Sequence, residues 1–345
     1  MIAFLARAAA ALLMLRLSLC LSGGAAATAP AAGGGPVRVE RRLASMGTLL
    51  AVSVAGPDRE AALSASEEAV REVGRVEERL TTWRQGGPLD RVNRARPGEP
   101  IALDPEISAL LAAVFEWSER TAGAFDPTVA PLVRAWDLRG KGRVPAAESL
   151  ARARAATGCR WFRLDAATGE ARRLSAGAGI DEGAWGKGYA LDRALEALRR
   201  AGVREATLDL GGQVSALGRA AVAVADPRAR DRTAGSLMLA DASVSTSGNS
   251  ERGRVVEGRS IGHLLDPRTG YPAPDFGSAT VVAPSGLTAD ILSTAFFVLG
   301  PARGLALSEN LRRQGFENRA LFLVVENGAM KVLASPGLDF HRRGE

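Results

Sequence analysis

The 345-residue chain is short of several side chains, and each shortage narrows the chemistry open to it. It has two cysteines, Cys20 and Cys159. Cys20 falls in an N-terminal segment that reads as cleaved, so the mature chain keeps Cys159 alone. One thiol forms no internal disulfide, holds no thiolate metal site and supplies no redox pair. There are two histidines, and His341 lies close to the C-terminus, which leaves His263 as the one candidate for proton transfer near neutral pH. Lysine is scarce as well, with Lys141, Lys187 and Lys331 the only three among 44 basic residues. Long apolar runs are missing: the Ala/Leu-rich stretch through Leu21 is broken by Arg16 and is too short for a membrane span. The net charge of +6 and pI of about 10.1 raise the question of a nucleic-acid partner. The arginines are scattered singly, however, with no basic stripe and no interleaved aromatics, which argues against one.

What is present describes an exported globular protein. Arg7, the apolar run and the small residues ending in Ala25-Ala-Ala27 read as a signal peptide over 1–27, followed by a Gly/Ala/Pro linker over 28–36 and one domain over 37–340. Leu17-Ser-Leu-Cys20 is a poor lipidation site because leucine precedes the cysteine. The expected location is therefore periplasmic or otherwise exported, soluble, with an inner-membrane anchor at Cys20 as the lesser alternative. At 46% hydrophobic and 24% charged, the composition is that of an ordinary folded domain.

Periodicity places the elements. Val37 to Ala44 and Leu49 to Val54 read as a strand pair around Met46-Gly47-Thr48. Arg59 to Leu80 carries Ala62, Ala65, Ala69, Val73, Val76 and Leu80 on one face of a long helix. Asp104-Pro105 opens another helix with an aspartate cap and proline at the first position. Gly123-Ala-Phe-Asp-Pro-Thr-Val-Ala-Pro131 is too rich in proline for a helix or central strand and reads as a fixed loop. Leu150 to Ala156 is a helix, and Arg160 to Arg173 is a hairpin around Ala166-Ala167-Thr168-Gly169. The spacing then gives a helix over Ala190 to Arg200 and a strand over Ala206 to Leu210, with further strands over Ala220 to Asp226, Gly235 to Leu239 and Ala279 to Ala283. Leu287 to Leu299 is a helix.

Three places carry chemistry. The glycine-rich stretch from Gly179 into the helix at Ala190 sets backbone N–H groups, a helix dipole and Lys187 where an anion such as phosphate binds; a tight loop with a solvated lysine fits the same residues. Asp290 and Thr294, at i and i+4 on an otherwise apolar helix, form an oxygen pair suited to Mg²⁺. Capping of the first turn by Asp290 and back-bonding by Thr294 to a helix carbonyl fit them too. His263 stands three residues before Asp266-Pro267 in a loop of turn-formers and hydroxyls, and Asp126-Pro127-Thr128 reads in isolation as an Asx turn.

In order along the chain, Met46-Gly47-Thr48, Gly123-Ala-Phe-Asp-Pro-Thr128, Asp181 with Lys187-Gly-Tyr-Ala-x-Asp192, Asp209-Leu-Gly-Gly212, Ser245-Thr-Ser-Gly248, His263-x-x-Asp266-Pro-Arg-Thr-Gly-Tyr-Pro272 and Asp290-x-x-x-Thr294 resemble the ApbE family of FAD:protein FMN transferases. The resemblance runs from about Val37 to Gly300. It implies a single α/β (α+β) domain with mixed sheets and outer helices, using Mg²⁺ and taking FAD as substrate. By that likeness the carbonyl of Ala184 with Asp290 and Thr294 holds the metal, while Met46, Trp83, Ala124, Phe125, Asp126, Asp181, Lys187 and Leu265 line the FAD site. His263 is the candidate base. The implied partner is an acceptor protein, a membrane redox protein bearing a motif like Asp-x-x-Ser/Thr-Gly-Ala-Ser/Thr, whose hydroxyl takes FMN as AMP leaves. No stretch of this chain matches that motif. Two other outcomes fit the same likeness: hydrolysis of FAD to FMN and AMP, and an exported flavin-binding protein without turnover. Three residues depart from the family pattern: Gly87-Pro88 in place of Ser-Glu, Asn249-Ser250 in place of an aromatic, and Glu182 in place of a hydrophobic residue, which adds negative charge near the proposed phosphates.

Overall fold

The computed structural model describes residues 35–165, 168–249, 254–256 and 259–344. The signal-peptide reading over 1–27, Cys20 and most of the linker lie outside them, as do Ala166, Ala167 and Ser250. Strand β1 (Val37–Ser45) pairs with β2 (Thr48–Gly56), and alternation in β2 buries Leu50, Val52 and Val54. Helix α1 (Arg59–Leu80) follows, capped by the Asp58 carboxylate accepting from Ala61 N at 2.8 Å, and buries the six apolar residues its period predicts. Then come α2 (Pro88–Arg94), β3 (Pro100–Ala102), α3 (Pro105–Arg120), α4 (Ala130–Ala135), α5 (Ala147–Ala155) and the β4 (Phe162–Asp165)/β5 (Glu170–Arg173) pair. Asp104 caps α3 through the N–H groups of Glu106 and Ile107.

The second half contains α6 (Gly186–Arg200), β6 (Ala206–Leu210), β7 (Gln213–Leu217), β8 (Arg219–Asp226), β9 (Ala229–Ala240), β10 (Ser243–Ser247), β11 (Arg254–Val256), β12 (Arg259–Ile261) and β13 (Gly277–Ala283). It ends with α7 (Gly286–Leu299), α8 (Pro301–Arg313), β14 (Arg319–Glu326), β15 (Ala329–Ala334) and β16 (Phe340–Arg342). The main sheet has eight strands in the order β1-β2-β6-β7-β10-β13-β14-β15, so strands from both ends of the chain share it. The fold is α/β with outer helices as expected, and every strand pair among the described residues is antiparallel, where mixed sheets were anticipated. Helices α1, α6 and α7 cover one face, enclosing a core that includes Leu191, Leu195, Ile291 and Phe296. The other face packs Val214, Val244, Leu321 and Leu323 against Val224, Leu237 and Leu239 of the three-stranded β16-β9-β8 sheet. Burial of each such side chain contributes about 1.5–3 kcal/mol.

Two differences from the sequence reading position the site. Helix α6 begins at Gly186, four residues before the predicted Ala190, so Lys187 lies in its first turn and not in a loop. The glycines there serve contact more than flexibility. A Cβ on Gly188 would stand 2.5 Å from the carbonyl carbon of Gly286, and one on Gly286 would stand 2.5 Å from the carbonyl oxygen of Gly188, so α6 and α7 cross backbone against backbone. Strand β10 is the other difference: Ser-Val-Ser-Thr-Ser, nearly all buried in the middle of the sheet, carries no hydrophobic period to announce it.

Candidate active site

Three loops meet near the start of α6, and specific contacts tie them together. The β1–β2 turn is formed by Met46 and Gly47 at φ 48° and 71°, a left-handed pair that fits a tight hairpin but is strained for methionine. Glu77 holds it there: its Oε2 accepts from Met46 N and from Ser45 Oγ, both at 2.9 Å. A Cβ on Gly186 would touch the Met46 methyl at 3.5 Å, which puts Met46 at the start of α6. The Asp126 loop reaches the same place, since Asp181 N donates to Pro127 O at 2.7 Å. The 263–272 loop joins it through Arg268, whose Cγ lies 3.7 Å from a Cβ built on Gly123.

The Asp290 carboxylate is buried and takes the N–H of Gly188 on Oδ2 at 3.0 Å and the hydroxyl of Ser245 on Oδ1 at 3.5 Å. It therefore faces α6 and β10, and Ser285 caps its own helix instead. Thr294 Oγ1 lies 3.4 Å from Ser247 Oγ, so its hydroxyl is directed at β10 and not at a carbonyl of its own helix. Between the two residues, Ser293 Oγ donates to Ser245 Oγ at 3.1 Å and lies 2.9 Å from Ser247 Oγ. Asp290 and Thr294 thus share one face and one hydroxyl network, and Ala184 sits in the turn that leads to Gly188. Among the described residues no group of three or more His, Cys, Asp and Glu is placed to hold a metal ion. The set of one carboxylate, one hydroxyl and one carbonyl is not such a group. Its all-oxygen chemistry fits a hard cation that keeps part of its own shell.

Lys187, half-buried in the first turn of α6, makes no ion pair among the described residues, so its ammonium is available to an anion; the flanking N–H groups of Gly186 and Gly188 are bonded to Glu182 O at 2.8 Å and Asp290 Oδ2 at 3.0 Å, which leaves the N–H of Lys187 in that turn. Beside the Asp126 loop, a cleft of about 490 Å³ has Arg154, Arg160 and Arg268 on its rim. Asp126 does form the Asx turn: Oδ1 accepts from Thr128 N at 2.8 Å and Thr128 Oγ1 at 2.6 Å, and burial pushes the carboxyl up from its ordinary range. The side chains of Ala124 and Phe125 are buried in the core, and their N–H groups are bonded to Thr121 O at 3.1 Å and Thr121 Oγ1 at 3.2 Å. Leu265 packs with Leu132, Trp136 and Leu150 in a satellite core and bridges Pro272, so it anchors the His263 loop. His263 itself is half-buried. The next residue back, Gly262, abuts Asn249: a Cβ there would fall 2.5 Å from the amide.

Trp83 and Asp181 come together through Arg139, which sequence reasoning missed. Its guanidinium lies 4.3 Å from the Trp83 ring and donates to Asp181 Oδ2 at 2.6 Å. One arginine among 44 basic residues carries no signal of its own. Glu182, expected to add charge near the phosphates, turns inward and accepts from Thr82 N and Oγ1 at 3.2 and 2.6 Å. Burial and the neighbouring Asp181 charge hold its carboxyl above the usual range. Asp192 was legible as part of a motif but not in its role: its two oxygens accept from Gly286 N at 2.5 Å and Leu287 N at 2.9 Å, capping α7 from α6. Burial raises it to about 6.

Comparison with known proteins bears on the family and the fold. The ApbE family model matches residues 46–317. An FAD:protein FMN transferase of Klebsiella pneumoniae is 32% identical over 237 residues, 68% of this chain and 75% of that one. One from Treponema pallidum is 31% identical over 285 residues, 76% of this chain and 79% of that one. Among solved structures, the ApbE protein of Thermotoga maritima aligns with a TM-score of 0.78 at 30% identity, covering 87% of this chain and 97% of that one. The apo flavinyl transferase ApbE of Pseudomonas stutzeri aligns at 0.74 and 28%, covering 87% and 95%. With the family model matching most of its length, the chain belongs to the ApbE family.

Proposed function

We propose that the chain transfers FMN from FAD to a threonine or serine hydroxyl of an acceptor protein. The observation that carries this reading is the joint between α6 and α7. It sets the buried Asp290 carboxylate, which shares a helix face with Thr294, against the helix start that bears Lys187, as moving a polyphosphate fragment requires. The acceptor oxygen bonds to the FMN-side phosphorus, the bridging P–O bond breaks, and AMP departs with that bridging oxygen and its electron pair. Little covalent help is needed for such a transfer; placement and charge neutralisation do most of it.

The residues divide that work. The ammonium and backbone N–H of Lys187 bind the pyrophosphate, and the Met46 turn and the 124–126 loop shape the pocket around FAD. His263 takes the proton of the attacking hydroxyl, a step worth about 10² to 10⁴ in rate. Mg²⁺ held by Asp290, Thr294 and the Ala184 carbonyl would supply Lewis-acid neutralisation of the phosphate oxygens. The N-terminal segment supports export, which puts the acceptor, a membrane redox protein, on the outer side of the inner membrane. Incubation of the enzyme with FAD and Mg²⁺, with and without an acceptor peptide bearing the Thr/Ser motif, tests the reading. Equimolar AMP and FMN-peptide support transfer, and free FMN with unmodified peptide contradicts it.

A further inference from the structure

Trp83 is the most exposed large apolar side chain of the described residues, at 64%. An indole that open is mobile unless something fixes it, and the geometry supplies one candidate. Arg139 Nη2 donates to both Asp181 Oδ2 and Thr82 Oγ1 at 2.6 Å, Nη1 donates to Thr82 O at 3.2 Å, and the guanidinium carbon sits over the Trp83 ring, 4.3 Å from its centroid. A planar fork with five donors can stack and hydrogen-bond at once, which an ammonium cannot. The loop that presents Arg139 is itself pinned. Trp136 Nε1 donates to Gly270 O at 2.8 Å, Gly140 N to Asp137 O at 3.0 Å, and Arg143 N to Trp136 O at 3.0 Å.

Electrostatics points the same way. Asp181 and Glu182 are adjacent carboxylates, both largely buried, just ahead of the helix start assigned to the pyrophosphate. Unneutralised, they would repel it. Arg139 Nη2 is 2.6 Å from one and 3.7 Å from the other, so the charge added by Glu182 is met within this cluster.

Resting on the reading of this site as an FAD site, we propose that Arg139 is a positioning residue. It fixes Trp83 as a platform whose uncovered face stacks a flat ring of the dinucleotide, and it cancels the Asp181–Glu182 charge beneath the phosphates. Arg139 acts through Trp83 and Asp181 and not on the reacting phosphorus, so its loss changes binding and spares the chemical step.

The test compares wild type, Arg139→Ala, Arg139→Gln and Arg139→Lys for FAD affinity by tryptophan quenching and for KM and kcat in transfer. Removing one partner of a hydrogen-bonded charge pair should raise Kd and KM for FAD about tenfold or more in all three variants, with kcat changed less than about threefold. Lysine should not rescue. Introducing Glu182→Gln into Arg139→Ala should recover part of the affinity by removing the uncompensated charge. Wild-type Kd and KM in the variants, or a fall in kcat at unchanged KM, would overturn the proposal while leaving the functional reading intact. A wild-type chain that does not bind FAD would overturn both.

Discussion

The helix crossing that builds the site is also its most fragile joint, and Gly188→Ala tests it. An added Cβ would lie 2.5 Å from the carbonyl carbon of Gly286 and 2.9 Å from Asp290 Cβ, where ordinary contact begins at 3.4 Å. The Gly286 carbonyl oxygen is closer still, so the α7 backbone would have to retreat by more than about 1 Å, and backbone yields far less readily than a side-chain tip. Overpacking costs about 1–3 kcal/mol, and an overlap with backbone atoms lies at the upper end; against a gain of up to about 1 kcal/mol from replacing glycine in a helix, a net loss of about 2 kcal/mol is expected. The displaced group is Asp290, and a misplacement near 1 Å at a reacting centre costs on the order of 10²-fold in rate. Guanidinium denaturation, Mg²⁺ titration and the transfer assay should all register the change. Gly74→Ala, at a position in α1 with nothing within 4 Å, is the control and should stabilise the protein slightly. A Gly188→Ala protein as stable as wild type, with unchanged Mg²⁺ affinity, would refute the close-crossing account.

Asp290→Asn should abolish measurable Mg²⁺ binding by calorimetry and nearly all transfer, and full wild-type activity in excess chelator would show the metal assignment to be wrong. His263→Ala should lower kcat about a hundredfold with little change in FAD affinity and remove the acid limb of the pH profile; a parallel loss of binding with an unchanged profile would move His263 into the flavin pocket. Glu106 accepts from Arg75 at 2.8 and 3.0 Å and from the Tyr189 hydroxyl at 2.6 Å, and the Arg75 contact holds it down to about 2. Because its folded value lies below the ordinary 4.5, its contribution is complete above that pH and fades as pH falls toward 2. Glu106→Gln should flatten that part of the acid denaturation curve by up to about 3 kcal/mol, and an unchanged curve would count against the cluster.

Much of the fold was legible because burial follows period. The buried face of α1, the Asp104 cap of α3 and the 206–210 strand all follow from spacing and caps. The motifs marked Asp290, Thr294, Lys187 and Asp192 from sequence as well. What could not be read was set by contacts between distant segments. The glycines before α6 look like a loop until Gly286 is seen against Gly188. Strand β10 is built of hydroxyls that face Ser215, Ser293 and Thr294, so its burial leaves no apolar trace. Glu182 read as an intruding charge because Thr82 and Arg139, its partners, lie 100 and 43 positions away in the chain. For the same reason the sequence alone could not assign Arg139.

The central claim is covalent transfer of FMN to another protein, and intact mass spectrometry of an acceptor bearing the Thr/Ser motif, co-expressed with this chain, tests it most directly. The account predicts an acceptor heavier by one FMN with the phosphoester on the motif hydroxyl, no adduct on the enzyme itself, and no adduct when Asp290→Asn replaces the wild type. An unmodified acceptor beside a folded, FAD-binding enzyme would contradict it.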